Sequence, residues 1–102
     1  MQIRVRYEWD RAKASANLQK HGVSFDNARY VFLDPHIMTK HDRDNSIDEV
    51  RWISVGLNAN GIPVLVVHTY NDQDAEMHVV RLISARAPSK REAEAYWKGR
   101  FL

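Results

Sequence analysis

Cysteine is absent from the 102 residues, which excludes a disulfide framework and any thiolate-held metal. Proline and glycine are scarce, three and four in all, and no linker, repeat or low-complexity stretch divides the chain. A single domain spanning 1–102 is expected. No apolar run approaches the roughly 20 residues that a membrane helix needs. The start of the chain lacks the basic-then-apolar order of a signal peptide. The expectation is a soluble, cytoplasmic protein with no membrane partner. Neither sign of charge dominates. Fifteen Lys and Arg against 13 Asp and Glu give a formal net charge of +2, with a sequence pI near 9.1. Any anion binding must therefore come from local clusters of cations.

What is present is ordinary globular chemistry, 44% hydrophobic and 27% charged. Ile3, Val5 and Tyr7 alternate with Gln2, Arg4 and Arg6, which predicts a half-buried edge strand. Asp10 is suited to cap a helix running to about His21, with Gly22 at its left-handed end. Ser24 is suited to cap a second helix. Its Phe25, Ala28, Val31 and Phe32 share a face, and Asp34-Pro35 ends it. Residues 42–48 read as a polar loop. Three strands follow in meander order, over 49–56, 62–70 and 78–85. Asn60-Gly61 signals a tight turn, and 71–75 reads as a polar connection. Ser89 with Glu92 forms a capping-box pattern that opens a last helix, on which Ala93, Tyr96, Trp97 and Phe101 share a face. The predicted class is α+β: a mostly antiparallel sheet with two N-terminal helices and one C-terminal helix.

Candidate chemistry concentrates in two places. On the first helix Lys13, Asn17, Lys20 and His21 fall at offsets 0, 4, 7 and 8, a polar stripe suited to an RNA backbone or to solvent. In the sheet, Arg51, His68 and Arg81 can meet on one face if the register allows. Arg86 joins Arg81 only if the strand ends or bulges near Ser84, because the two are an odd number of residues apart. Arg51, Arg81 and Arg86 suit a phosphate through bidentate geometry, and His68 or His21 suits proton transfer near neutral pH. The competing reading pairs Arg81 with a carboxylate such as Glu49 and makes His68 a satisfied core histidine. Trp9, Trp52 and Trp97 are expected in the core or a partner interface. His36 and His41 with Asp42, Asp44 and Asp48 lack the order of a metal-binding loop, so no metal is expected.

Two runs carry a resemblance. One is Tyr7-Glu8-Trp9-Asp10 with Lys13, Asn17, Lys20-His21-Gly22-Val23-Ser24-Phe25 and Phe32-Leu33-Asp34-Pro35. The other is Arg81-Leu82-Ile83-Ser84-Ala85-Arg86 with Glu92 and Tyr96. Their order and separation resemble the BrnT family, the toxin half of a bacterial type II toxin–antitoxin pair. The resemblance implies a RelE-like fold and a cofactor-free endoribonuclease that blocks translation. It also implies a cognate ribbon–helix–helix antitoxin (BrnA-like) that binds operator DNA and joins the toxin in a hetero-oligomer. Positions that match the family's pattern are Lys13, Asn17, Lys20, His21, Arg51, Arg81, Ser84, Arg86, Glu92 and Tyr96. Two places depart from it. No basic residue follows His68-Thr69, where the chain reads Tyr70-Asn71-Asp72, and Pro88 precedes the last helix. A non-catalytic antitoxin- or RNA-binding module of the same fold is the alternative.

Overall fold

Local capping signals set the first third of the fold. The computed structural model describes residues 4–99. Gln2, Ile3 and Phe101, assigned above to the first strand and last helix, lie outside the described residues, as do the side chains of Gln73 and Asp74. β1 is Arg4–Glu8 and α1 is Arg11–His21. The Asp10 carboxylate accepts the Lys13 N–H at 2.9 Å, and Gly22 closes the helix at φ 70°. Ser24 Oγ accepts the Asn27 N–H and starts α2, Phe25–Ala28. The longer helix expected here tightens instead to a 3-10 segment, Arg29–Leu33. That segment lies directly on the sheet. A Cβ at Gly56 would come 3.0 Å from both Val31 Cβ and its carbonyl oxygen, so glycine is what admits the approach.

The remaining strands are β2 (Met38–His41), β3 (Trp52–Leu57), β4 (Pro63–Asp74) and β5 (Met77–Arg86), followed by α3 (Lys90–Lys98). Together with β1 they form one sheet in the order β1-β5-β4-β3-β2. β1 runs parallel to β5, and the other three pairings are antiparallel. The sheet is therefore mixed, which corrects the expectation of a mostly antiparallel one. β1 departs through helices rather than a hairpin, so its connection imposes no antiparallel partner. β2 was not anticipated from the sequence. β3 starts at Trp52 rather than at residue 49. The β4–β5 ladder continues through Asn71 and Asp72, where a polar connection was expected, and turns at 75–76.

Two cores follow from the alternation of β4. Val64 and Val66 pack with Val80, Leu82 and Ala85 of β5 under Phe25, Ala28 and Val31. Leu65 points the other way and meets Val55 and Tyr96 of α3. Helices thus lie on both faces: α1, α2 and the 3-10 segment on one, and α3 on the other.

Candidate functional site

Opposite Val67 and His68 the β5 register skips Ile83. Val67 faces Ser84, and His68 faces Leu82. Ile83 is the extra residue of a bulge. The consequence is a change of parity. Arg81, Ser84 and Arg86 lie opposite Thr69, Val67 and Leu65, so all three belong to the α3 face. A regular strand would have turned Arg81 away from the other two.

Glu49 organises the open half of that face. Its Oε1 accepts from Arg81 Nη2 at 2.5 Å and from Arg51 Nη2 at 3.5 Å. Glu49 and Arg51 stand two residues apart just before β3, and Arg81 reaches across from β5. The hydrogen bond from Arg81, aided by both guanidinium charges, holds the Glu49 carboxyl below its ordinary value. Arg51 Nε is buried and has no partner among the described residues. β1 ends at Glu8 opposite Arg81, which leaves β5 without a strand partner on that side until Asn17 closes the edge at Ala85. A cleft of about 450 Å³ occupies that opening, lined by Lys13 of α1 together with Glu49, Arg81 and Asp48. Lys13 and Arg81 thus border this cleft beside three carboxylates, Asp10, Asp48 and Glu49, and Arg51 borders a neighbouring hollow that shares Asp48 and Glu49.

Arg86 is held apart from this group. Its Nη1 and Nη2 donate to Glu92 Oε1 and Oε2 at 2.8 and 3.0 Å, a two-pronged pair. Glu92 Oε1 also accepts the Ser89 N–H at 2.7 Å, so one carboxylate both closes the α3 capping box and fixes Arg86. The Arg86 hydrogen bonds are the main reason its carboxyl sits at about 2. Pro88 lies just outside the helix and leaves this arrangement intact. Tyr96, on the buried side of α3, donates its hydroxyl to Asp34 Oδ2. Burial, reinforced by the Asp34 carboxylate, pushes the phenol up to about 12. Asp34 Oδ2 also takes the Leu57 N–H at 2.9 Å, tying α3, β3 and the 3-10 segment together.

His68 does not join the arginines. It lies on the opposite face, edge-on to Phe32, and is 3% exposed. Its Nδ1 lies 3.1 Å from the Thr69 carbonyl and acts as donor, leaving Nε2 to accept from Ser54 Oγ at 2.7 Å. Ser54 in turn meets Thr39 Oγ1 at 2.8 Å. Burial lowers the ring's affinity for a proton, so the imidazole is neutral and fully used. Asn17 also leaves its expected stripe. Its amide donates to the Val23 and Ala85 carbonyls at 3.0 and 2.8 Å and accepts the Ala85 N–H at 3.1 Å, which fastens α1 to β5. Lys13, Lys20 and His21 remain exposed on α1. Glu49 entered the sequence reading only as a partner for Arg81. The i, i+2 spacing of Glu49 and Arg51 ahead of an apolar strand was the available signal for its central place. Trp97, expected in the core or a partner interface, is exposed and so is not part of the core. Among the described residues, no three His, Asp or Glu side chains are grouped to hold a metal.

The family model for the BrnT ribonuclease toxin of type II toxin–antitoxin systems matches residues 9–92. The chain belongs to that family. It is a BrnT-type ribonuclease toxin, and membership implies an antitoxin partner. The crystal structure of the Brucella abortus ribonuclease toxin BrnT superposes on it with a TM-score of 0.60 and 22% sequence identity. The match covers 85% of this chain and 100% of that one, and it shows a shared BrnT fold. Among curated protein sequences none matches this chain. No described helix of this BrnT-family chain is long and apolar enough to cross a membrane.

Proposed function

We propose that this toxin cleaves RNA without a metal ion, through attack of a 2′-hydroxyl on the adjacent phosphate, at the Arg51–Glu49–Arg81 cluster. The observation that carries the reading is a single carboxylate held between two guanidinium groups on an open sheet face. A scissile phosphate entering the cleft competes with Glu49 for both arginines. Arg51 and Arg81 then neutralise the charge that grows on the phosphorane. Glu49, freed of its cations, regains basicity and takes the 2′-hydroxyl proton. The 2′-oxygen bonds to phosphorus, the bond to the 5′-oxygen breaks, and that oxygen takes a proton from Lys13 or from water. A 2′,3′-cyclic phosphate and a 5′-hydroxyl are the products.

Arg86 lies four ladder positions from Arg81, roughly 13 Å along the strand at about 3.3 Å per residue. Locked by Glu92, it suits a flanking phosphate rather than the scissile one. Lys20 and His21 on the exposed face of α1 extend the RNA track. His68 and Asn17 have no part in this reading, because their polar atoms are committed inside the fold. The wider reading is a single RelE-like domain spanning 1–102, acting in the cytoplasm and blocking translation. A ribbon–helix–helix antitoxin that also binds operator DNA restrains it in a hetero-oligomer.

The end chemistry of the products tests the mechanism. A defined RNA incubated with purified toxin and excess chelator should yield 2′,3′-cyclic phosphate and 5′-hydroxyl ends. Products carrying 5′-phosphate, or cleavage abolished by the chelator, would contradict it.

A further inference from the structure

The face opposite the arginines carries a groove that the reaction does not use. Its volume is about 770 Å³, and every strand contributes to its floor: Val5 of β1, Val80 of β5, Tyr70 of β4, Trp52 of β3 and Thr39 of β2. The 3-10 segment forms one wall with Phe32 and Leu33. The lining is overwhelmingly apolar, and its solvent side is bare. Leu33 is 68% exposed, and Val5 and Tyr70 are about half exposed. A cluster of large apolar side chains left open in this way marks a binding surface. In layer terms, α1, α2 and the 3-10 segment cover only part of this sheet face, and the rest lacks its second layer.

The groove's direction limits what can fill it. It runs across the strands, so an added β-strand, which would pair along an edge, does not follow it. Five strands at about 4.8 Å spacing span roughly 19 Å, the length of a helix of about 13 residues at 1.5 Å each. The charges limit the occupant further. Arg29 is the only formally charged residue among the described lining residues, and no carboxylate lines the groove. The guanidinium is held at the rim, 4.6 Å from the Tyr30 ring centroid and 3.2 Å from Asp26. His68 on the floor is neutral. A single cation among apolar groups fits a protein carboxylate far better than a phosphate backbone, which requires several cations.

We propose that this groove receives an amphipathic helix of the antitoxin, about 13 residues long. Its apolar face lies on the strands and one carboxylate meets Arg29. The proposal rests on the antitoxin partnership that family membership implies. It places the contact on the face away from the Arg81 cluster, so antitoxin binding and RNA cleavage are separable by mutation.

The test uses the full chain and the product of the reading frame adjacent to its gene, purified separately, with affinity measured by calorimetry. Leu33→Glu puts a charge on the exposed wall, and Arg29→Glu reverses the rim charge. Each should weaken antitoxin binding at least tenfold, while the melting temperature and the cleavage rate of free toxin stay near the parent's. Lys20→Glu on α1, outside the groove, should leave affinity unchanged. Equal affinity for parent, Leu33→Glu and Arg29→Glu would overturn the groove assignment. So would a parent toxin that self-associates in sedimentation and is made monomeric by Leu33→Glu, since the occupant is then a second copy. A parent that does not bind the neighbouring product at all overturns the partnership itself, which is a different failure.

Discussion

Arg81 Nη2 and Glu49 Oε1 stand 2.5 Å apart across the width of β4, and the same carboxylate oxygen faces Arg51. The pair sits on an exposed surface, where an ion pair contributes about 0–1 kcal/mol to folding. Its consequence lies in chemistry. Glu49→Gln keeps the shape and removes the proposed base. Cleavage should fall by about 100-fold or more, the usual worth of a positioned general base, with a melting temperature close to the parent's. A variant that cleaves at the parent rate would remove Glu49 from proton transfer.

Asn17 reads as an RNA contact in the sequence and as a bracket in the structure. Asn17→Ala strands both backbone groups of Ala85, at about 2 kcal/mol for the unpaired buried groups. For a domain of this size that corresponds to a fall of roughly 10 °C in melting temperature. RNA affinity of the folded fraction should be unchanged. Lys20→Ala should do the reverse, weakening RNA binding with little thermal effect.

The Arg86–Glu92 pair makes stability depend on acid. Glu92 titrates near 2 in the fold, against an ordinary value of 4.5. The stabilisation is full above about 4.5 and is lost as pH falls from there through 2. Because Arg86 is partly exposed, solvent screening reduces the worth to about 1–2 kcal/mol. Denaturant midpoints of parent and Glu92→Gln should therefore differ at pH 6 and converge toward pH 2. A constant gap over that range would show that the pair is not the source.

His68 has the same sign at a higher pH. Burial keeps its ring neutral in the fold, while the unfolded chain protonates it near 6.5. Its contribution is complete above about 6.5 and declines as pH falls below that value. The parent should lose more stability than His68→Gln between pH 7 and pH 5. The variant should keep cleaving RNA within a few-fold of the parent. A collapse of cleavage in folded His68→Gln would return this residue to the active site.

Much of this was legible along the chain wherever the cause is local. The Asp10, Ser24 and Ser89 caps, the Gly22 stop and the Glu92 capping box each depend on residues three or four apart, and each formed as read. What the sequence hid depends on pairing. β2 is short and mostly exposed, so Met38-Thr39-Lys40-His41 shows no alternation to find. The parallel β1–β5 pairing and the bulge at Ile83 are properties of register, which no single strand encodes. The site inherits that limit. The bulge unites Arg81 with Arg86 on one face, and the parity of β4 puts His68 on the other.

The most direct measurement is the cleavage rate of a defined RNA by antitoxin-free toxin, with excess chelator, beside Arg81→Ala shown to be folded by its thermal transition. Chelator-resistant cleavage by the parent, reduced at least 100-fold in Arg81→Ala, is the expected result, because loss of a preorganised charge at the phosphorane costs about that much. Undiminished cleavage by Arg81→Ala would contradict the assignment of the reaction to the Arg51–Glu49–Arg81 face.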